Sequence, residues 1–258
     1  MAQSFSIDLN ADLGEGYGQW AMGNDADMLG VVSSANIACG GHAGDPETMF
    51  ATLSQARANG VIVGAHPGYA DKPGFGRRII PMTIGEIERM VACQIGALMG
   101  AAALAGLPVR YVKAHGALAN LAADDRDVAG AIARASRAVS PDLALLAISG
   151  TELEGAGTAA GLQVFSEVFA DRAYLPNGRL VPRSRPDAMI HDADAAAQRL
   201  VAFLASGMMP TQGGPAIPLS AQSICVHGDS LGAVQMARRI HGAFDKAGIT
   251  LAAFLPCA

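Results

Sequence analysis

Six short apolar runs in this 258-residue chain each end on, or just before, a polar side chain that is able to do chemistry. In chain order, the residues at these ends are Asp12, His42, His66, His115, Asp171 with Arg172, and Asp229. In a parallel α/β protein the carboxyl ends of the strands converge on one crevice, so residues far apart in sequence meet in one site. The pattern therefore predicts an enzyme whose site is assembled from strand ends.

Segments with helical signals separate the apolar runs. Helices are predicted from the N-cap pattern at 45–47 to about residue 59, and from the capping box at 83–86 to about residue 106. Further helices are predicted over 125–138, 192–206 and 230–247, with one more buried strand over 143–148. This alternation indicates one α/β domain over 1–258 with a parallel sheet, and leaves open a doubly wound sheet or a closed barrel.

The composition argues against several classes of partner. A net charge of −5 without any basic run is unlike a nucleic-acid-binding surface, which neutralises phosphates with Lys and Arg. Four cysteines without a CxxC pair are typical of a reducing compartment. The first residues lack a secretory signal, and the Ala/Gly-rich segment 96–107 is too short to cross a bilayer. We therefore expect a soluble, cytoplasmic protein that binds neither nucleic acid nor a membrane.

The first strand carries three polar side chains on one face. Residues two apart on a strand point to the same side, so Asp8, Asn10 and Asp12 lie together, opposite the apolar residues between them. Such groups need water or a ligand, unless the strand is a half-exposed edge strand. The glycine-rich turn 13–18, which contains Glu15, lets a ligand approach the backbone closely.

Two other strand ends carry candidate catalytic groups. His42 precedes a helix N-terminus that is suited to an anion, and Asp45 is predicted to cap that helix and to contact a ligand. A nucleophilic pair of Cys39 and His42 is an alternative, although cysteines at strand ends more often pack inertly. Lys113 shares a strand face with His115, and a lysine in an apolar run is costly unless it meets an anion or snorkels outward.

The histidines and aspartates also permit a divalent metal site. Its ligands would be drawn from His42, His66, His115, His227, Asp8, Asp12 and Asp229. No HExxH or other compact ligand motif supports a metal, and no Walker A sequence supports a standard nucleotide site. We therefore assign no metal ligands from the sequence.

Motifs in matching order and at fitting spacing carry a family resemblance. They lie at 8–16 (DLNADLGEG), 33–45, 64–69, 74–77, 167–172 and 180–184. From about residue 5 to 255 the chain resembles the LamB/YcsF family. The resemblance implies a distorted, seven-stranded β/α barrel of the glycoside hydrolase/deacetylase type. It also implies the role of the A subunit in an ATP-dependent 5-oxoprolinase, acting with subunits B and C.

The implied reaction converts 5-oxo-L-proline, ATP and water into L-glutamate, ADP and phosphate, with Mg²⁺ accompanying ATP. Phosphorylation of the lactam oxygen makes the ring carbon open to attack by water. Under this hypothesis, Lys113 with Arg77 or Arg183 binds phosphates or the substrate carboxylate. Asp12 or Asp229 orients or deprotonates water, and proton transfer falls to His42, His66 or His115. The other expected binding residues are Asp8, Asn10, Glu15, Asn36, Asp45, Asn120, Glu167, Arg172 and His227.

Three positions depart from the family pattern. The family usually has Phe, Pro and Tyr where this chain has Gly41, Ala114 and Ala119. Because large aromatic surfaces often line ligand pockets, their loss predicts a wider pocket and leaves a larger lactam open as the substrate. Two other functions stay open: a metal-dependent, deacetylase-like hydrolase that needs no ATP, and a non-catalytic subunit that binds a ligand for its partners.

Overall fold

The computed structural model describes residues 6–228 and 232–256. Its strands are β1 (Ser6–Leu13), β2 (Ser34–Ala38), β3 (Ile62–His66), β4 (Val109–Val112), β5 (Ala144–Ile148), β6 (Val164–Phe169), β7 (Met208–Thr211), β8 (Gly214–Pro218), β9 (Ser223–Val226) and β10 (Thr250–Leu251). Strands β1 to β6 and β9 are parallel neighbours, and β1 closes the ring by pairing with β9, where Leu9 lies opposite Ile224. This seven-stranded barrel confirms the predicted fold class and excludes the open sheet.

Helices lie between successive barrel strands and surround them. They are α1 (Asp25–Leu29), α2 (Pro46–Ala58), α3 (Ile84–Ala105), α4 (Gly116–Ala122), α5 (Arg126–Val139), α6 (Glu152–Ala159), α7 (Ala193–Ser206) and α8 (Ala233–Ala247). The predictions for α2, α3, α5 and α7 are confirmed nearly to the residue, because their caps form: Asp45 Oδ1 accepts from the N–H of Thr48 at 2.8 Å, and Thr83 and Glu86 make the capping box. Short α1, α4 and α6 were not predicted, since so few turns carry little periodicity.

The helix α3 is long and apolar enough to cross a membrane by length and composition alone, and it contains most of the segment 96–107. Its buried residues, among them Ile87, Val91 and Leu98, recur at helical spacing. The helix packs against α2 and α5, in the outer layer of the barrel. The buried face of this helix is thus part of the core.

Alternation along β1 separates an apolar outer core from a polar barrel interior. Ile7, Leu9 and Leu13 pack in the main hydrophobic core. Asp8, Asn10 and Asp12 point the other way, into the barrel, and are buried. Because β1 pairs on both sides, the alternative of a half-exposed edge strand is excluded.

An antiparallel hairpin of β7 and β8 follows α7, and β10 pairs with β1; neither was predicted. The hairpin contacts the long segment 171–190, where the N–H of Gln212 donates to the carbonyl oxygen of Tyr174 at 2.7 Å. It therefore supports the base of a segment that reaches the cavity described below.

Candidate active site

Lys113 lies at the centre of the polar interior. Its Nζ is 2.8 Å from Glu167 Oε2, 3.1 Å from Asp12 Oδ1 and 3.2 Å from Asn10 Oδ1. Burial alone would lower the pKa of Lys113, but Asp12 and the other anionic neighbours raise it well above its ordinary value. The ammonium is therefore charged and uses its hydrogens on groups of the protein.

Two asparagines and a tyrosine hold this ion cluster in place. Asn36 Nδ2 donates to Asn10 Oδ1 at 2.7 Å and to Asp12 Oδ1 at 2.8 Å, and Tyr111 Oη donates to Asn36 Oδ1 at 2.7 Å. Asn10 Nδ2 donates to Glu167 Oε2 at 3.0 Å. Burial would raise the pKa of Asp12, but His66 and Lys113 outweigh it and lower the pKa well below its ordinary range. Asp12 is thus an oriented, ionised carboxylate.

Asp8 occupies a separate, deeper place in the barrel. Its carboxylate accepts from Ser33 Oγ at 2.6 Å, from Ser34 Oγ at 2.8 Å and from Ser223 Oγ. Burial raises the pKa of Asp8 to about 6 despite these hydrogen bonds. Asp8 does not line the cavity, so its contacts are those of a structural residue.

Three histidines and Glu15 gather at the carboxyl ends of β1 to β4. His42 Nε2 is 3.1 Å from Glu15 Oε1, and the rings of His42 and His115 stack with centroids 3.5 Å apart. His115 Nδ1 lies 3.1 Å from His66 Nε2, which is 3.3 Å from Asp12 Oδ2. Burial, reinforced by the neighbouring rings, lowers the pKa of both His42 and His115 well below the ordinary value.

The hydrogen bonds of two rings fix which nitrogen carries hydrogen. His66 Nδ1 is 2.8 Å from the carbonyl oxygen of Lys113, and His115 Nε2 is 2.8 Å from that of Phe75. A carbonyl oxygen only accepts, so both of these nitrogens are donors. In the neutral rings, His66 Nε2 and His115 Nδ1, which face each other, therefore both carry lone pairs.

The Cys39 thiol is not placed as a nucleophile. Its Sγ donates to the carbonyl oxygen of Ile37 at 3.2 Å and accepts from the N–H of His66 at 3.2 Å. Burial raises the pKa of Cys39 to about 12, so the reactive thiolate is disfavoured at neutral pH. This contradicts the alternative of a Cys39–His42 nucleophilic pair.

A cavity of about 460 Å³ opens above the ion cluster at the carboxyl ends of the strands. Its size is typical of small-molecule sites. The predicted site residues that line it are Asp12, His66, Arg77, Lys113, His115, Asn120, Glu167, Arg172, Arg183 and His227. The convergence of strand ends on one crevice is therefore observed.

One side of the cavity is cationic, with Arg77, Arg172 and Arg183 among its lining residues. Arg172 Nη2 donates to the carbonyl oxygen of Val181 at 2.7 Å, while its buried Nε has no hydrogen-bond partner within residues 6–228 and 232–256. Burial and then the charge of Arg183 lower the pKa of Arg172 to about 10. Mutually repelling guanidinium groups beside a cavity favour an anionic ligand.

A further imidazole lines the cavity just after β9. His227 Nδ1 lies 2.9 Å from Asp171 Oδ1 and 2.8 Å from Asp171 Oδ2, and the ring stacks on Phe169 with centroids 5.3 Å apart. Burial would raise the pKa of Asp171, but His227 and two arginines lower it overall, so the carboxylate is ionised. A carboxylate on Nδ1 orients the ring for proton transfer at Nε2. Asp171 lies just after one of the apolar runs, and this position in the sequence indicates a residue at the site.

The remaining predicted residues lie outside the cavity lining. Glu15 and His42 contact the histidines of the wall from behind it, and Asn10 and Asn36 lie in the interior beneath it. Asp45 caps α2 and also accepts from the N–H of Gly18 at 2.5 Å, so it links the helix to the glycine-rich turn and does not line the cavity. Asp229 lies outside the described residues. Tyr111 was missed, although it shares a strand face with Lys113.

Two of the three small residues from which a wider pocket was predicted lie in the cavity lining. Ala114 and Ala119 line the cavity. Gly41 does not, because its Cα packs against the side chain of Gln94, where an added Cβ would lie 2.5 Å from Oε1. Gln94 in turn binds the backbone of Gly68 through both ends of its amide. The absence of a side chain at Gly41 therefore leaves room for the buried Gln94 side chain and does not enlarge the cavity.

Comparisons with known proteins agree along nearly the whole chain. A sequence profile described as the LamB/YcsF family matches residues 7–257. A protein from Nitrobacter hamburgensis that is named as the A subunit of 5-oxoprolinase is 50% identical over 250 residues, covering 96% of this chain and 98% of that protein. A protein of the same name from Rhodopseudomonas palustris is 50% identical over 249 residues, with the same coverage.

Solved structures share the barrel. The crystal structure of a lactam utilization protein from Thermus thermophilus has a TM-score of 0.91 at 41% identity, covering 96% of this chain and 100% of that one. A T48 deacetylase with substrate has a TM-score of 0.50 at 14% identity, covering 97% and 88% of the two chains. The second likeness concerns the fold alone.

Proposed function

The chain belongs to the LamB/YcsF family, and on that premise we propose that it is the A subunit of an ATP-dependent 5-oxoprolinase. In this proposal it acts with subunits B and C, and 5-oxo-L-proline, ATP and two water molecules give L-glutamate, ADP and phosphate. The names of the relatives support a component of a lactam-cleaving hydrolase. Coupling to ATP with Mg²⁺ and action with subunits B and C are what the proposal adds to that support.

The observation that carries the proposal is that cationic arginines and acid–base groups line one small cavity. The substrate is a five-membered lactam that bears a carboxylate, so it offers one anion and one unreactive amide. Arg172 and Arg183 are suited to the carboxylate or to a phosphoryl group. Asp12 and His227 are suited to move protons at the amide.

The proposed chemistry follows from the stability of the lactam. Transfer of the γ-phosphoryl group of ATP to the lactam oxygen makes that oxygen a competent leaving group. One water then adds to the ring carbon, the C–N bond breaks and the nitrogen gains a proton. The second water releases phosphate from the γ-carboxyl group, which completes glutamate.

The contacts suggest a role for each group. Asp12 is ionised and oriented by its hydrogen-bond donors, so its carboxylate is suited to take the proton of the attacking water. His227, held by Asp171, is suited to protonate the leaving nitrogen. Lys113 Nζ already lies within hydrogen-bonding distance of four groups of the protein, the fourth being Cys225 Sγ at 3.1 Å. We therefore assign Lys113 to positioning Asp12 and Glu167, and assign the substrate anion to the arginines.

The test is glutamate release by the purified chain mixed with candidate subunits B and C and 5-oxoproline, with and without ATP and Mg²⁺. We expect glutamate only when ATP and this chain are both present. Undiminished glutamate without this chain, or none with every component present, contradicts the proposal.

Two exposed arginines on one segment give a matched pair for the substrate anion. Arg183 lines the cavity, and Arg185, which pairs with Asp187, does not line it. Arg183→Gln should raise the KM for 5-oxoproline at least about tenfold, because one charge-assisted contact is lost. Arg185→Gln should leave it unchanged. Equal KM values in both variants would remove the anion-binding role of Arg183.

A further inference from the structure

Four buried side chains near the ends of neighbouring barrel strands direct ligand atoms at one point. Glu15 follows β1, His42 follows β2, His66 ends β3 and His115 follows β4. One ligand atom from each lies within 4.8 Å of the other three. The parallel barrel produces this convergence, since these residues are far apart in sequence.

The distances between these atoms match a small coordination sphere. Glu15 Oε1 is 3.1 Å from His42 Nε2 and 3.8 Å from His115 Nδ1, and His115 Nδ1 is 3.1 Å from His66 Nε2. Ligand bonds of about 2.0–2.2 Å in a tetrahedron put ligand atoms roughly 3.3–3.6 Å apart. The side chains therefore need little movement to share one ion.

The outward nitrogens of two rings are fixed in the way that metal ligands require. His66 donates Nδ1–H to the carbonyl oxygen of Lys113, and His115 donates Nε2–H to that of Phe75. A histidine that binds a metal usually donates its other N–H to a carboxylate or backbone carbonyl, which sets the tautomer. In both rings the nitrogen left with a lone pair is the one aimed at the cluster.

These lone pairs meet carboxylate oxygens of Glu15 and Asp12. His66 Nε2 is 3.3 Å from Asp12 Oδ2, so acceptor atoms approach it from two sides. Acceptors that face one another at these distances repel unless a cation lies between them. The cation is either one additional proton on His66 Nε2 or a metal ion.

We propose that Glu15, His42, His66 and His115 bind one divalent ion of the Zn²⁺ class. Three imidazoles and one carboxylate favour Zn²⁺, Co²⁺ or a similar borderline ion over Mg²⁺, which prefers oxygen ligands. His66 and His115 line the cavity, so the ion would lie in its wall and would supply Lewis-acid polarisation of a ligand there. The site is separate from the Mg²⁺ that accompanies ATP.

The test measures binding to the wild-type chain after treatment with a chelator. Calorimetric titration with Zn²⁺ should give one ion per chain, and titration with Mg²⁺ should give no comparable heat. Co²⁺ should give the visible absorption of a four-coordinate ion and paramagnetic shifts of the ring protons of His66 and His115. These readouts are independent of glutamate release, so the failure of the proposed function would not be mistaken for the failure of this site.

Substitutions locate the ion. Glu15→Gln and His115→Asn should each raise the Kd for Zn²⁺ at least about tenfold, whereas His241→Asn, on the outer helix α8, should leave it unchanged. Binding that persists in both cluster variants overturns the proposal. So does a folded wild-type chain that binds neither Zn²⁺ nor Co²⁺, which would identify the additional proton as the cation of the cluster.

Discussion

At the scale of single residues, the buried charge of Lys113 is stable because specific partners surround it. Lys113 is 4% exposed and lies between the carboxylates of Asp12 and Glu167, with Asn10 accepting from the same ammonium. Transfer of an isolated ammonium into such an interior costs far more than the fold could sustain. The partners therefore explain why a lysine is stable inside an apolar run.

Asp8 gives a prediction for the pH dependence of stability. Its pKa rises from 3.8 to about 6 on folding because burial penalises the carboxylate. The stabilisation from its protonated form is full below pH 3.8 and is lost as the pH rises through about 6, a change on the order of 3 kcal/mol.

The variant Asp8→Asn should remove this dependence, since an amide can hydrogen-bond to the same serines without titrating. Urea unfolding at about pH 4 and about pH 7 measures it. As the pH rises from about 4 to about 7, the free energy of unfolding of the wild-type protein should fall relative to that of the variant. A constant difference between the two proteins would show that Asp8 does not titrate in this range.

Asp171 gives a prediction for catalysis. Its carboxylate holds His227 Nδ1 without lining the cavity, so it is a positioning residue. Asp171→Asn should lower kcat at least about tenfold with little change in KM, because the amide favours the wrong tautomer of the ring. Asp171→Glu should restore part of kcat. A steady-state comparison in which KM alone changes would contradict this role.

At the element scale, α6 shows how closely a helix approaches the barrel. A Cβ added to Gly157 would lie 2.6 Å from Leu145 Cδ2 and 2.8 Å from Val164 Cγ2, whereas a Cβ on Gly155 meets nothing within 4 Å. The two glycines lie in the same helix with opposite environments. The short helix therefore packs on β5 and β6 at a position where an added side chain would force Leu145 and Val164 to shift.

The two glycines make a matched pair of variants. Gly157→Ala should lower the free energy of unfolding by about 1–3 kcal/mol through overpacking. Gly155→Ala should raise it by about 0.5–1 kcal/mol, since alanine is the better helix former. Denaturant unfolding of both variants decides the matter, and the same sign for both would refute the packing explanation.

At the scale of the whole molecule, closure of the barrel decides what the cavity accepts. Residues from β1, β4, β6 and β9 and their carboxyl ends form its floor, while Ala119 on α4 and Arg183 on the 171–190 segment form part of its sides. Position 119 is where the family usually has Tyr. Its alanine leaves room that a ring would occupy.

Ala119→Tyr should therefore make the chain more selective for small lactams. With the partner subunits present, kcat/KM for the six-membered homologue of 5-oxoproline should fall at least about tenfold relative to 5-oxoproline. Ala119→Ser, which keeps the volume small, serves as the control. An unchanged ratio in the Tyr variant would show that position 119 does not limit substrate size.

Much of the barrel was accessible from sequence because its signals are local. Strand runs, helix caps and the period-2 placement of Asp8, Asn10 and Asp12 depend on neighbours within a few residues, and the observed elements follow them. The strand ends also indicated which residues gather at the cavity. The β7–β8 hairpin carried too weak a pattern, since its strands are short and exposed.

What the sequence alone determined was the order of elements, the family resemblance and the set of polar strand ends. The residue pattern left open whether the sheet closes; the resemblance implied a barrel, and the tertiary structure confirmed it. Only the tertiary structure decided that Lys113 is enclosed by carboxylates and that Gly41 faces Gln94 instead of the cavity. It alone brought Glu15 and His42 against His66 and His115. The physical reason is that contacts between distant segments depend on strand register and barrel closure, which no local spacing of residues specifies.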